Sequence, residues 1–240
     1  MRSRESESSV TPTAKNPAKT PKLGRPPRLS RETILDAGLS LLERFPDQAL
    51  TLSRVAKEVD AVPAALYRHV NSHDELLDGV LGRVLDGIPF EIRYSASWRT
   101  QVRDWMTCVR AHLLRYPAAV SIVGRRGRTS PAWFDASAVL VEILKRAGMH
   151  GVRLAHSYLW ITESTMGCIA NESILPYPEQ VRGAASAQSE MTEEARKSHA
   201  ALGHHLAELD SETFFKLIAD HTLAALPEPN AKPASRSSRR

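Results

Sequence analysis

The chain of 240 residues has no run approaching the roughly 18 consecutive apolar residues of a membrane helix, and its N-terminus lacks the apolar core of a secretory signal. It has only two cysteines, Cys108 and Cys168, and no CxxC pair. Two thiols cannot make a disulfide framework, so a reducing cytoplasm is the expected home. GxSxG, HExxH and Walker sequences are all missing. The Gly- and Arg-rich stretch 124–128 lacks the Lys-Ser/Thr ending of a phosphate loop. His199, His204 and His205 have no acidic or cysteine partner set in sequence, so no metal and no cofactor are expected. No enzyme chemistry is expected either.

What is present is a core and an uneven charge. Apolar residues make up 42 % of the chain, enough to bury an interior. The formal charge is +5, but residues 1–31 alone hold a net of +6 and residues 227–240 a net of +3, leaving −4 for the middle. Basic tails around an acidic body suggest a polyanionic partner. Residues 1–28, rich in Ser, Thr, Pro and Lys, read as a disordered basic arm, and 227–240 as a disordered basic tail.

Between the tails nearly every segment has helical period, which predicts an all-α protein. Ser30 caps a first helix over 31–45, with Ile34, Gly38, Leu41, Leu42 and Phe45 on one face. Thr51 caps a short helix with Leu52, Val55, Ala56 and Val59 inward. Asp60-Ala61-Val62 breaks the chain, and Pro63 opens another short helix ending near Val70. Ser72 and Glu75 have capping-box spacing before a longer helix that Pro89 stops. Two short helices around a three-residue turn, supported on both sides, predict a helix–turn–helix over 29–89. Neither short helix is stable alone, so each must be clamped by its neighbours. The outward face of the second then holds Ala64, Ala65, Tyr67, Arg68 and His69, a face suited to a major groove.

Residues 29–85 resemble the DNA-binding head of the TetR (tetracycline-repressor-like) family. The resemblance rests on Leu29-Ser30-Arg31-Glu32-Thr33-Ile34-Leu35-Asp36-Ala37, on 51–59, on Pro63-Ala64-Ala65-Leu66-Tyr67-Arg68-His69-Val70 and on Asp74-Glu75-Leu76-Leu77. It implies that Tyr67 and His69 reach phosphates. It also implies that His73, standing where the family has a Lys, grips the backbone. Thr51 and Ser53 lie where a helix start welcomes a phosphate. Ala64, Ala65 and Arg68 are candidates for base contact, and Arg54 for backbone or base. Two departures from the family pattern stand out: Asp60 replaces the usual turn Gly, and Val62 replaces a capping Ser or Thr. Residues 32–74 carry a net of −3, so attraction to double-stranded DNA must come from elsewhere. Gly24-Arg25-Pro26 resembles the core of an AT-hook, and Arg25 is a candidate minor-groove contact.

Residues 97–226 predict a larger helical effector-binding and dimerisation domain. Its amphipathic stretches are 98–116, 132–147, 152–170 and 212–226, with a loop around 173–191. The resemblance implies a homodimer through 152–170 and 212–226, with Ala155, Gly167 and Ala170 allowing close helix approach. It also implies a pocket for an unknown small-molecule effector. Candidate lining residues are Trp105, His112, Trp133, Phe134, His156, Trp160, Glu163 and Asn171. Trp98-Arg99, Leu113-Leu114-Arg115-Tyr116 and Thr165-Met166-Gly167 resemble the tetracycline-repressor branch in particular. Ile122 and Asn171 stand where that branch has its metal-linked His and Glu, which speaks against a tetracycline–Mg²⁺ ligand. The expected function is a sequence-specific regulator, a repressor released from a palindromic operator. An activator or a ligand-independent DNA-binding protein remains the alternative.

Overall fold

The computed structural model describes residues 29–126, 130–186 and 190–227. The basic arm with Arg25, most of the basic tail, and the last two residues of the 124–128 stretch lie outside the described residues. Among those described there are helices and no strands.

The head is α1 (Arg31–Arg44), α2 (Leu52–Glu58), α3 (Pro63–Leu66) and the first half of α4 (His73–Asp86). Ser30 caps α1, its hydroxyl accepting from the Thr33 amide at 3.1 Å. α1 stops one residue earlier than its apolar pattern suggests. Phe45 takes the C-cap, is 37 % exposed, and lies under the guanidinium groups of Arg44 and Arg54. α1 crosses α4 closely: a Cβ on Gly38 would meet Val80 Cγ2 at 2.5 Å, so this crossing has room only for glycine.

The turn and caps behave as the sequence predicts. Asp60 takes φ 51°, and Val62 makes no side-chain cap bond to α3. Asp is among the few non-glycine residues that occupy this region at a tolerable cost, about 1 kcal/mol. Ser72 caps α4 by accepting from the Glu75 amide at 3.0 Å. The reciprocal half of the capping box differs. The Glu75 carboxylate accepts from the Asn71 amide at 2.8 Å, one residue earlier than the motif specifies. Those bonds lower the Glu75 pKa, with Asn71 the main cause.

The body is α5 (Trp98–Leu113), α6 (Pro117–Arg126), α7 (Pro131–Arg146), α8 (Gly151–Ile174), α9 (Tyr177–Ser186), α10 (Glu193–Ala207) and α11 (Ser211–Ala225). The segment 173–191 is mostly not the expected loop: α8 runs on to Ile174, and α9 fills 177–186. α9 escapes the apolar pattern because it is built from small and polar residues, YPEQVRGAAS. α8 keeps its inward face through Ser157, Ile161, Thr165, Cys168 and Glu172, a regular three-to-four spacing.

α4 joins the two halves. It packs on α1 in the head and on α6 and α7 in the body. Leu76, Leu77, Val80, Leu81, Val84 and Leu85 are all buried, so its apolar stripe is continuous from one domain to the other. A shift of α4 is therefore felt in both domains at once.

Candidate DNA-binding head and effector site

Leu66 and Val70 are fully buried and anchor the second short helix against Val55 and Ala56. The regular part of that helix is one turn, Pro63–Leu66. The chain then tightens, with the His69 and Val70 amides both donating to the Leu66 carbonyl at 2.9 and 3.0 Å. This holds Tyr67, 52 % exposed, and the exposed Ala64 and Arg68 on one outward surface, with Ala65 and His69 half-buried behind them. A large aromatic exposed beside two alanines and an arginine is what a groove-reading surface requires.

Three other candidates make contacts within the head, and Thr51 fills the capping role its position predicts. The Arg54 guanidinium turns back to donate to the Ala49 carbonyl at 2.7 Å and covers the Phe45 ring. His73 donates a ring N–H to the Leu50 carbonyl at 2.9 Å rather than standing clear of the head. The Thr51 hydroxyl accepts from the Arg54 amide at 3.3 Å and so acts as the N-cap of α2. These side chains brace the loop 46–51, and Thr51 and His73 stay exposed at the surface. Ser53 is exposed on α2.

The eight candidate pocket residues do not line one cavity. Trp105 and Trp133 are each 1 % exposed, inside the body. Trp133 Nε1 donates to the Tyr158 hydroxyl at 3.2 Å, and Ser137 shares that hydroxyl at 2.9 Å. His112 is buried, but its Nε2–H is used on the Val84 carbonyl at 2.7 Å, at the end of α4. Phe134, His156, Trp160, Glu163 and Asn171 lie on the outside. The cause is the helical period of α8: residues 156, 160 and 163 share one side, opposite the buried 157, 161 and 165. With Val152, Leu159 and Leu226 they line an open groove of about 1010 Å³. This is the side of α8 that the sequence assigns to the dimer, so the two expectations competed for the same face.

Sequence reasoning passed over the polar interior. Arg110, 8 % exposed, holds the buried Glu172 with two bonds of 2.7 and 2.8 Å, and Glu212 with a third of 2.9 Å. Its guanidinium also covers the Phe215 ring at 4.8 Å. The bonds to Glu172 raise the Arg110 pKa, outweighing desolvation. Glu172 is thus committed to Arg110, and exposed Asn171 beside it faces away, which removes both from any inward ligand set. The apolar context of α5 hid this network; an Arg amid Val109, His112 and Leu113 was the available signal. Burial pushes the Cys108 and Cys168 thiols up, which favours their protonated form. Among the described residues no three His, Cys, Asp or Glu side chains gather as a metal site, and no helix is long and apolar enough to cross a membrane.

His112 gives a pH prediction. Burial lowers its pKa, against the opposing pull of the Val84 carbonyl, and Arg115 lowers it further. The unfolded chain protonates near the ordinary 6.5, before the folded imidazole does. Stability is therefore complete above that pH and is lost as pH falls below it. Thermal melts between pH 7 and 5 should show a shallower decline for His112→Gln than for the wild type, because glutamine keeps a donor without the titration.

A helix–turn–helix head rigidly joined to a helical body defines a DNA-binding regulator. The comparisons agree. A family model for the tetracyclin repressor-like C-terminal domain matches residues 94–218. An HTH-type transcriptional regulator of Saccharopolyspora erythraea is 25 % identical over 164 residues, covering 68 % of this chain and 69 % of that protein. The TetR-family protein ActR of Streptomyces coelicolor has the same fold: TM-score 0.69, 23 % identity, 85 % of this chain and 96 % of that one. Its structure has also been solved with actinorhodin bound. BioQ, solved with its natural double-stranded operator, aligns with TM-score 0.55 and 20 % identity over 76 % of this chain and all of that one. The chain belongs to the TetR family of DNA-binding HTH-type transcriptional regulators.

Proposed function

We propose that this protein is a homodimeric repressor that leaves a palindromic operator when a small molecule enters the body. The observation that carries the reading is the buried stripe of α4, shared by head and body. It gives the body mechanical control of the surface formed by Ala64, Tyr67 and Arg68. In the complex, Ala64, Ala65 and Arg68 meet base edges, while Tyr67, His69 and Ser53 meet phosphates. Thr51, Arg54 and His73 brace the loop 46–51 ahead of α2 and reach phosphates from that edge of the head. Two heads placed by the outer faces of α8 and α11 engage half-sites about 34–36 Å apart. Exposed Val152, Leu159, Trp160 and Leu217 supply the apolar part of that dimer contact.

Buried polar atoms that the body leaves unpaired suggest the chemistry of the effector. The indole N–H of Trp105, the side-chain oxygen of Gln101 and the Ser157 hydroxyl are buried without a hydrogen-bond partner. A largely apolar molecule carrying both hydrogen-bond donors and acceptors fits that set.

Selection of random-sequence duplexes by the purified protein tests the reading. The expected product is one palindrome, bound by a dimer. Arg68→Ala should weaken it about 5- to 150-fold for each half-site while binding to unrelated DNA changes little. Recovery of no preferred sequence would remove the reading. Footprints upstream of promoter core elements, rather than across them, would replace the repressor with an activator.

A further inference from the structure

Two side chains at the C-terminal end of α5 and just beyond it join the body to the head and to α4. His112 and Tyr116 are four residues apart, and their rings stand 5.3 Å from each other. His112 donates to the Val84 carbonyl in the last turn of α4. Gly87, the C-cap of α4, backs directly onto this ring: a Cβ there would lie 3.2 Å from His112 Cε1. Tyr116, 4 % exposed, donates its hydroxyl to Glu43 Oε1 at 3.0 Å, on α1 of the head. The end of α5 and the turn after it therefore grip the end of α4 and the head itself. Beside this grip lies an open cleft of about 400 Å³ between the domains, lined by Asp47, Leu50 and Leu77 of the head and Ala118, Ser121 and Ile122 of α6. The cleft begins next to the Glu43–Tyr116 bond on both chain segments, just after Arg44 and at Pro117.

We propose that His112 and Tyr116 form a latch that fixes the angle of the head, and that the adjoining cleft is the space into which the head turns when Tyr116 lets go of Glu43. Both are positioning residues; neither touches DNA. The proposal rests on the DNA-binding reading for its consequence, but the latch itself is a property of one protomer. A carboxylate acceptor for a nearly buried hydroxyl is among the stronger single hydrogen bonds, and its loss removes a direct tie between α1 and the body.

Two measurements test it. The first needs no DNA. Spin labels on Lys57→Cys and Glu142→Cys, in a Cys108→Ser, Cys168→Ala background and diluted with unlabelled chain, report the head–body distance. One narrow distribution is expected, broadening in Tyr116→Phe and Glu43→Ala and staying narrow in Glu43→Gln, which keeps an acceptor oxygen. The second uses the duplex selected by the wild type and versions with one or two base pairs inserted between half-sites. Preference for the original spacing should fall about fivefold in Tyr116→Phe. Glu43→Ala should add nothing to that loss in the double variant. Ser121→Trp, which fills the cleft, should restore the preference in the Tyr116→Phe background. An unchanged distance distribution and an unchanged spacing preference overturn the latch, even if the variants melt at a lower temperature. Failure to select any duplex would count against the DNA-binding reading alone, with the distance measurement still deciding the latch.

Discussion

Arg110→Leu lowers the melting temperature by roughly 6–20 °C. The estimate combines two magnitudes. Removing one partner of a buried ion pair costs about 3–5 kcal/mol, and a chain of this size loses about 2–4 °C per kcal/mol. The cost is at the high end because Arg110 serves three helices at once: α5 carries it, Glu172 lies on α8 and Glu212 on α11. Without it Glu172 is a buried carboxylate with no counter-charge. Glu172→Gln removes the charge and keeps an acceptor, so it should cost less than half as much. Glu212→Ala should cost about 1 kcal/mol or less, because that carboxylate is 55 % exposed and solvent screens it. The three variants, melted side by side, separate burial from charge. Equal losses for Glu172→Gln and Arg110→Leu would show that the stranded carboxylate does not set the penalty, because only Arg110→Leu leaves one.

Deleting residues 1–27 has the largest expected effect on binding. The segment removes Arg2, Arg4, Lys15, Lys19, Lys22 and Arg25, while the head between 32 and 74 carries a net of −3. If three of those cations reach phosphates in each protomer, the salt dependence of binding falls by about three powers per protomer. Operator affinity near 0.15 M salt then falls roughly 100-fold or more. Sequence preference should survive, because Ala64, Ala65 and Arg68 remain. Equal affinity and equal salt slope for the truncated and full chains would sink the arm as a DNA contact. Loss of preference for A·T-rich flanks on deletion would assign Arg25 to the minor groove.

The head was legible in the sequence almost residue by residue. Its helices are short, capped and amphipathic, and each carries local signals: Ser30, Thr51, Pro63, Ser72. Even the strained turn at Asp60 was readable, because a helix–turn–helix needs positive φ there and few residues tolerate it. The directions of single side chains were not. Arg54 and His73 look like DNA contacts in sequence, yet each finds a backbone carbonyl of the loop 46–51 within reach. A carbonyl left open by the end of a helix is invisible in the order of residues. The body was legible as amphipathic helices and opaque as a site. In α8 a stripe of His156, Trp160 and Glu163 has the same period whether it faces an interior or a partner. Only packing against α5, α7 and α11 shows which side of that helix is used up. The Arg110–Glu172 pair spans 62 positions and leaves no local trace.

The length of α4 sets a gain. Fourteen residues at 1.5 Å each make a rod about 21 Å long. A tilt of 10° at its body end carries the far end about 4 Å, slightly more than the 3.4 Å rise of one base pair along a DNA strand. Each half of a symmetric pair moves by that amount, so the error accumulates across two half-sites. A displacement too small to notice among the packed side chains of α6 and α7 is therefore large when measured in base pairs. The regulator needs no unfolding and no domain reorganisation to lose register with its operator; it needs the stiffness of one helix.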